Sequence, residues 1–223
     1  MRFPVVIVNF KAYKEGTGEN AVKLAKIAES VAGSSGKEVV IAPNPLDLYR
    51  VISSVESLPV FSQHADPVAY GAHTGHISPI HLKELGVSGT LLNHSERKLE
   101  LGVLLRAASL SHEAGLDVVV CVSDPEELKA VAENSPPITA FAYEPPELIG
   151  TGKAVSKYKP DVLLEAVKLA EEYGYRLLCG AGIVNGEDVR KARELGAEGV
   201  LVASGVVKSE DPRTSLEDLI SGI

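Results

Sequence analysis

Eight short apolar runs alternate with longer amphipathic stretches, and this pattern constrains the fold more than any other feature of the chain. The runs are rich in Val, Ile and Leu and lack a strict alternation with polar residues. Such runs are typical of parallel strands that are buried on both faces. Numbered 1 to 8 in chain order, they are Val5–Val8, Val39–Ala42, Val60–Ser62, Thr90–Leu92, Val118–Val122, Ile138–Ala142, Leu177–Cys179 and Val200–Ala203.

The stretches between the runs carry apolar residues at three- and four-residue spacing, which predicts helices. Ala21–Val31 and Val162–Tyr173 show this spacing most clearly. Pro125 and Pro160 stand at expected helix starts, and glycines such as Gly115 follow the expected helix ends. Eight strand–helix units favour one closed (β/α)8 barrel over residues 1–223. An open α/β sheet with miscounted strands is the alternative.

The length of the chain sets the size of each unit. Eight units in 223 residues leave about 28 residues each, near the lower bound for such a barrel. We therefore expect a compact version with trimmed outer helices and short loops, except after runs 3 and 6.

Charge and cysteine content exclude several classes of function. The chain has 22 basic and 30 acidic residues, a net charge of −8, which argues against nucleic acid or an anionic membrane as partner. The apolar run after Met1-Arg2 is too short for a signal peptide, and no run could span a bilayer. Two cysteines, Cys121 and Cys179, are too few for a disulfide framework. These features predict a cytoplasmic protein.

Of the ends of runs 1, 4, 6, 7 and 8, three carry ionisable side chains and two carry small residues. Lys11 follows run 1, His94 follows run 4 and Glu144 follows run 6. Functional groups of a barrel gather where strands end, so these three are candidates for proton chemistry. Taken singly, each has an ordinary alternative: a solvated lysine, a capping or core histidine, or an exposed turn acid. Their joint occurrence at strand ends of one barrel favours the functional interpretation.

Small residues follow the last two runs, as Gly180-Ala181-Gly182 and Ala203-Ser204-Gly205. Backbone N–H groups of small residues can approach phosphate oxygens closely, and the ends of the last two strands often hold a phosphate in such barrels. Ordinary tight-turn glycines are the alternative. We expect an anion site here.

Metal chemistry and cysteine chemistry have weaker support. His64, His73, His76 and His81 crowd one segment, but they lack an accompanying cysteine or an acid at helical ligand spacing. Loop histidines are the better interpretation, and no metal site is predicted. The two cysteines lack an activating neighbour in sequence and are expected in the core.

Four segments resemble the signatures of a known family. They are Asn9-Phe10-Lys11, Asn93-His94-Ser95-Glu96, Ala142-Tyr143-Glu144-Pro145 and Ile149-Gly150-Thr151-Gly152. Their order and their positions at strand ends resemble the triosephosphate isomerase family over the whole chain. The compact length and the Pro146-Glu147-Leu148 insert are similar to its archaeal branch. The resemblance implies interconversion of dihydroxyacetone phosphate and D-glyceraldehyde 3-phosphate without a cofactor, a step of glycolysis and gluconeogenesis.

The resemblance also implies roles for individual residues. Glu144 is expected to take the carbon-bound proton, neutral His94 to polarise the carbonyl, and Lys11 to stabilise the enediolate. A helix expected to begin after His94 would favour the neutral imidazole. Further substrate-binding residues are expected at Asn9, Phe10, Lys11, Ile149, Gly150, Gly180, Gly182, Ala203 and Ser204, with backbone N–H groups of Gly150, Gly182, Ala203 and Ser204 on the phosphate. Supporting residues are Ser95, Glu96 as the partner of Lys11, and Thr74.

Thr74 resembles the tip of a loop that reaches a neighbouring subunit, which implies a homo-oligomer, either a dimer or a tetramer. The chain departs from the family at four positions. Cys179 and Gly182 stand where many members carry Tyr and Ser, Glu147 replaces a Trp and His76 replaces a Glu. Because those Tyr and Ser hydroxyls hold the closed loop in the family, the loop over residues 143–154 is expected to be fastened differently here. Two alternatives stay open: another phosphate-sugar barrel enzyme, such as an epimerase or a synthase, and a non-catalytic phosphate-binding barrel.

Overall fold

A computed structural model describes residues 1–148, 152 and 154–223. Within these residues the chain forms eight parallel strands in one sheet. The strands are β1 Val5–Asn9, β2 Glu38–Ala42, β3 Phe61–Ser62, β4 Gly89–Leu92, β5 Asp117–Val122, β6 Ala140–Tyr143, β7 Leu177–Cys179 and β8 Gly199–Val202. Each lies within two residues of the apolar run that predicts it, so the strand predictions are confirmed.

The sheet closes on itself. Its order is β2-β1-β8-β7-β6-β5-β4-β3, so β2 and β3 are its two ends. These ends meet where Ile41 bridges to Val60 and its N–H donates to the carbonyl of Pro59 at 3.2 Å. The predicted (β/α)8 barrel is therefore confirmed, and an open sheet is not what forms.

Both faces of the sheet are buried, which explains the unbroken apolar runs. Along β1, Val5 and Ile7 point into the barrel, whereas Val6 and Val8 point outward to the helices. The inner layer consists of Val5, Ile7, Val40, Ala42, Phe61, Leu91, Val119, Cys121, Ala140, Ala142, Leu178 and Leu201. Side chains fill the interior, so the barrel is a packed core that leaves only its rims for chemistry.

Ten α-helices of the described residues surround the barrel. They are α1 Glu19–Ser35, α2 Leu48–Ile52, α3 Pro79–Glu84, α4 Leu101–Glu113, α5 Pro125–Ala132, α6 Val155–Tyr158, α7 Pro160–Glu172, α8 Gly186–Glu194, α9 Ser204–Val207 and α10 Pro212–Ile220. Short 3₁₀ helices occur at Lys14–Gly16, Pro45–Asp47 and Pro146–Leu148. With only five and six residues, α2 and α3 confirm the expectation of trimmed outer helices. None of these helices is long and apolar enough to cross a membrane.

The expected helix start after His94 is wrong. Residues 95–97 form a turn, and α4 begins only at Leu101. Side chains take up two backbone N–H groups in this segment, because Glu96 donates to Nδ1 of His94 at 3.1 Å and Leu99 donates to Oδ1 of Asn93 at 2.9 Å. These local bonds compete with helix formation.

Candidate active site

A cavity of about 380 Å³ opens at the carboxyl ends of the strands. This rim is where a parallel barrel brings the residues after each strand together. The described residues that line it are Asn9, Lys11, Tyr13, His94, Glu144, Gly152, Gly180, Gly182, Ile183, Val184 and Leu201–Gly205. The cavity thus combines the ionisable groups after β1, β4 and β6 with the small residues after β7 and β8.

Lys11 is fixed at both its backbone and its side chain. Its φ of 51° lies in the left-handed region, where its N–H donates to Oδ1 of Asn9 at 2.9 Å and its carbonyl accepts from Nε2 of Gln63 at 3.0 Å. Its ammonium lies 2.7 Å from Oε1 of Glu96, and the side chain is only 10% exposed. The cavity therefore has a positive charge whose position is set by an ion pair.

The hydrogen bonds of His94 assign its neutral tautomer. Nδ1 accepts the backbone N–H of Glu96 at 3.1 Å, so in the neutral ring the proton resides on Nε2. Nε2 is buried and has no hydrogen-bond partner among the described residues. The backbone N–H of Glu96, rather than a helix start, thus keeps the Nε2–H of His94 available as a donor to the cavity.

Glu144 lies beside His94 in the cavity. Its backbone N–H donates to the carbonyl of Val122 at 2.8 Å, which places the side chain just beyond β6. The carboxylate is buried, with Oε1 3.5 Å from Nε2 of His94 and Oε2 without a partner in the described part of the chain. The thiol of Cys121, a weak donor, lies beside this carboxylate, which can therefore still accept a proton.

Gly180 makes room for Glu144. A Cβ atom at residue 180 would lie 2.4 Å from Cγ of Glu144 and 3.2 Å from the carbonyl of Tyr143. No side chain larger than hydrogen fits there without moving the carboxylate. The small residue after β7 therefore provides the space that the Glu144 side chain occupies.

The far end of the cavity is lined by backbone rather than by charged side chains. Gly182 follows β7, and Ala203 and Ser204 follow β8, where Ser204 begins α9. Two residues expected to bind substrate, Ile149 and Gly150, lie outside the described residues. Small residues at the end of two neighbouring strands can present N–H groups to an anion.

Four expected residues lie away from the cavity lining described above. Phe10 is buried in the layer between the sheet and the helices. Ser95 and Glu96 belong to the turn beside His94, where Glu96 contacts two cavity residues, Lys11 through its carboxylate and His94 through its backbone N–H. Thr74 is exposed, within the loop between β3 and α3.

The histidines of this loop segment do not converge. His64 is buried and bonded to Asp66, His73 faces His76, and His81 contacts Tyr70. No group of three His, Cys, Asp or Glu that could hold a metal ion occurs in the described ranges.

Both cysteines are buried free thiols, as expected of core residues. Burial raises the pKa of Cys179 to about 12. Burial, reinforced by the nearby Glu144 charge, also raises the pKa of Cys121 well above its usual range. Such thiols stay protonated and are inert at neutral pH.

Sequence reasoning missed several residues of the site. Tyr13, Ile183 and Val184 line the cavity, and Gln63 holds the carbonyl of Lys11. Gln63 directly follows β3, so a polar residue at that strand end was an available signal. Tyr13, in contrast, lies four residues beyond β1, where no sequence pattern marks it.

Comparison with known proteins places these observations in a family. Residues 4–222 match the family model described as triosephosphate isomerase. A triosephosphate isomerase of Methanosarcina acetivorans is 46% identical over 222 residues, covering 99% of both chains. The triosephosphate isomerase of Pyrobaculum arsenaticum is 48% identical over 98% of this chain and 97% of its own. That of Methanopyrus kandleri is 48% identical over 100% of this chain and 99% of its own.

Proposed function

The chain belongs to the triosephosphate isomerase family, and from this relationship we propose how its own residues perform the reaction. The reaction interconverts dihydroxyacetone phosphate and D-glyceraldehyde 3-phosphate. It moves a hydrogen between two adjacent carbons and exchanges a carbonyl for a hydroxyl. It therefore requires a base at carbon, a proton donor at oxygen and stabilisation of a negative intermediate.

Glu144 is the proposed base. Its carboxylate removes a proton from the carbon next to the carbonyl, and the electron pair of that C–H bond forms the double bond of an enediolate. The buried position supports this role, because a bound substrate can exclude the remaining water from the carboxylate. The same group returns the proton to the neighbouring carbon to complete the reaction.

His94 is the proposed electrophile. Its Nε2–H donates to the carbonyl oxygen as charge develops there, and the same atom can relay a proton between the two oxygens of the enediolate. The backbone N–H of Glu96 supports the assignment, since it occupies Nδ1 and leaves Nε2 as the donor. Lys11 adds a fixed positive charge to the same cavity.

The phosphate is proposed to bind at the backbone-lined end of the cavity. Backbone N–H groups of Gly182, Ala203 and Ser204 would hold its oxygens, together with Gly150, and Asn9 would orient the triose. An anionic ligand is compatible with a chain of net charge −8 because local N–H groups and Lys11 supply the attraction.

One observation carries these assignments: His94 and Glu144 line one cavity, and each has a buried polar atom, Nε2 and Oε2, without a described partner. The other carboxylate oxygen of Glu144, Oε1, lies 3.5 Å from Nε2 of His94. The test is a coupled assay of glyceraldehyde 3-phosphate isomerisation with the purified chain and its His94→Asn variant. We expect activity in the first and a loss of at least about a hundredfold in the second. A silent His94→Asn variant would remove His94 from the mechanism.

We also propose a homo-oligomer assembled through the loop that carries Thr74. Residues 69–76 are all exposed. At the base of the loop, the N–H of Asp66 donates to the carbonyl of Ile77 at 2.8 Å, and the N–H of Ile77 donates to Oδ2 of Asp66 at 2.7 Å. A groove beside the active site is lined in part by Leu46, Gln63 and Arg97, and Leu46 is 93% exposed, so this groove is the proposed docking surface for the loop. A second copy of the chain is the proposed occupant.

Solution mass tests the assembly. Native mass spectrometry should give a dimer or a tetramer for the unaltered chain and a smaller species for Thr74→Arg, which would add a buried charge to the interface. A monomeric mass for the unaltered chain contradicts the proposal.

We propose the cytoplasm as the place of action. Both cysteines are free thiols, and reducing compartments maintain thiols in this state. Fractionation of source cells followed by isomerase assay checks this, with activity expected in the soluble cytoplasmic fraction.

A further inference from the structure

Asn93, the residue before His94, has an unusual backbone conformation. Its φ is 59°, in the left-handed region, and its exposed fraction is 1%. Asparagine adopts this conformation more readily than most residues, but the conformation still needs support from its surroundings. Asn93 directly precedes His94, and its backbone angles therefore set the direction in which the chain leaves β4 and enters the turn that contains His94.

The side chain of Asn93 supplies such support from three directions. Nδ2 donates to the carbonyl of Cys121 on β5 at 2.9 Å and to Oε1 of Glu127 on α5 at 2.8 Å. Oδ1 accepts the backbone N–H of Leu99 at 2.9 Å. The amide therefore ties the start of the His94 turn to the neighbouring strand, to a neighbouring helix and to the end of the turn itself.

Glu127 is held as firmly as Asn93. Its carboxylate accepts from Nζ of Lys98 at 2.7 Å and from both the backbone N–H and the hydroxyl of Ser123 at 2.7 Å. Burial alone would raise the pKa of Glu127, but these hydrogen bonds outweigh it and hold the pKa below its usual value. An ionised acceptor is thus fixed against the amide of Asn93.

We propose that Asn93, held by Glu127, is a positioning residue that fixes the His94 turn and thereby aims the imidazole Nε2 at the substrate. The inference rests on the role of His94 given above. Neither Asn93 nor Glu127 lines the cavity within the described residues, so both act through the histidine. Their loss should slow the chemical step and leave substrate binding largely intact.

Three variants separate the parts of this arrangement. Asn93→Asp keeps the shape but removes both donor bonds and places a second carboxylate beside Glu127. Asn93→Gly keeps the left-handed conformation accessible but removes all three side-chain bonds. Glu127→Gln removes the charge that the amide and Lys98 share. In each, kcat for glyceraldehyde 3-phosphate should fall by about 10- to 100-fold, with KM within about threefold.

Matched controls lie just beyond the end of the same helix. Asn134→Asp alters an exposed amide that bonds only a nearby carbonyl, and Glu133→Gln alters an exposed acid 3.9 Å from Lys129. Both should keep kcat within twofold of the unaltered enzyme. Melting temperatures of all variants show whether each remains folded at the assay temperature.

A double-mutant cycle provides the deciding measurement. If Asn93 acts through His94, Asn93→Asp added to His94→Asn should lower kcat no further, whereas independent effects would multiply. Multiplying losses, or kcat within twofold of normal in all three variants, would overturn the proposal. A silent His94→Asn variant would instead contradict the proposed function, so the two failures are distinguishable.

Discussion

Nε2 of His94 lies 3.5 Å from Oε1 of Glu144, although β5 separates the two strands that carry these side chains. The closeness follows from the barrel, which turns the ends of β4 and β6 toward one rim. A small substrate bound against both groups can contact the carboxylate with its carbon and the imidazole N–H with its oxygen.

Glu144→Gln should lower kcat by about a hundredfold or more, because the amide keeps the shape of the carboxylate but cannot take a proton. The inhibition constant of inorganic phosphate should stay within about threefold, since the substitution leaves the proposed phosphate-binding end of the cavity unchanged. Steady-state kinetics with phosphate as competitor measures both. Glu165→Gln, an exposed acid on α7, is the matched control. A Glu144→Gln enzyme with near-normal kcat would exclude Glu144 as the base.

Lys11→Met should impair binding as well as turnover. Its side chain is 10% exposed and paired at 2.7 Å with Glu96, so its removal takes a fixed charge from the cavity and leaves that acid unpaired. We expect kcat/KM to fall by more than about a hundredfold. Lys11→Arg should restore little of it, because the planar guanidinium does not fit the same ion-pair geometry. Full rescue by arginine would show that charge alone, without position, is sufficient.

Gly180→Ala tests the packing beneath Glu144. The added methyl would stand 2.4 Å from Cγ of Glu144, so the carboxylate has to shift. A displacement near 1 Å predicts a loss in kcat of about a hundredfold with the chain still folded. Gly33→Ala is the control: residue 33 lies in α1 with open space around it and should gain up to about 1 kcal/mol in stability. Equal kcat for both variants would contradict the packing argument.

The sequence predicted the strands well because their burial on both faces leaves a local mark, an unbroken apolar run. It also predicted that Lys11, His94 and Glu144 lie at one end of the barrel, since each follows such a run within three residues, and the three line one cavity. The contacts that support them were not predictable in this way. Asn93 reaches Glu127, 34 residues further along the chain, through the register of β4 and β5, and a spacing pattern carries no information about register.

The turn after His94 shows a second limit. Ser95-Glu96 has the composition of a helix start, and a helix was predicted there. The outcome was decided by two side-chain acceptors, Nδ1 of His94 and Oδ1 of Asn93, which bind the backbone N–H groups of Glu96 and Leu99. Both bonds depend on the backbone angles of Asn93, and the contacts of its side chain with β5 and α5 support those angles.

Lys157→Gln should weaken the phosphate end of the site. Nζ of Lys157 on α6 lies 2.7 Å from Oδ1 of Asp188, whose other oxygen accepts the N–H groups of Val184 and Asn185. The start of α6 is thus tied to the segment that follows Gly182. We expect KM to rise about fivefold, equivalent to a loss of about 1 kcal/mol, with kcat nearly unchanged.

The control for Lys157→Gln is Lys191→Gln, because Lys191 lies 4.0 Å from Glu187 on the same helix as Asp188 and does not bridge to α6. Its KM should equal that of the unaltered enzyme. If both variants raise KM alike, general surface charge accounts for the effect.

His64 should make folding stability depend on pH in mildly acidic solution. Burial lowers the pKa of His64 below its usual value of 6.5, and the nearby positive charge of Arg97 adds to this, although Asp66 opposes it. Between the folded and the unfolded pKa, the unfolded chain binds more protons at His64 than the folded chain. The contribution of neutral His64 to the free energy of unfolding is therefore fully present above about pH 6.5 and is lost as the pH falls through the pKa of the folded state.

Urea unfolding at pH 5, 6 and 7 measures this dependence. His64→Gln removes the titrating ring but can still donate to Asp66, whose Oδ1 lies 3.0 Å from Nε2 in the unaltered chain. The slope of unfolding free energy against pH should fall by up to about 1.4 kcal/mol per pH unit, the effect of one proton. His73→Gln, at an exposed loop position, should leave the slope unchanged. Identical slopes for the His64→Gln and unaltered chains would show that burial at residue 64 carries no penalty for the charged ring.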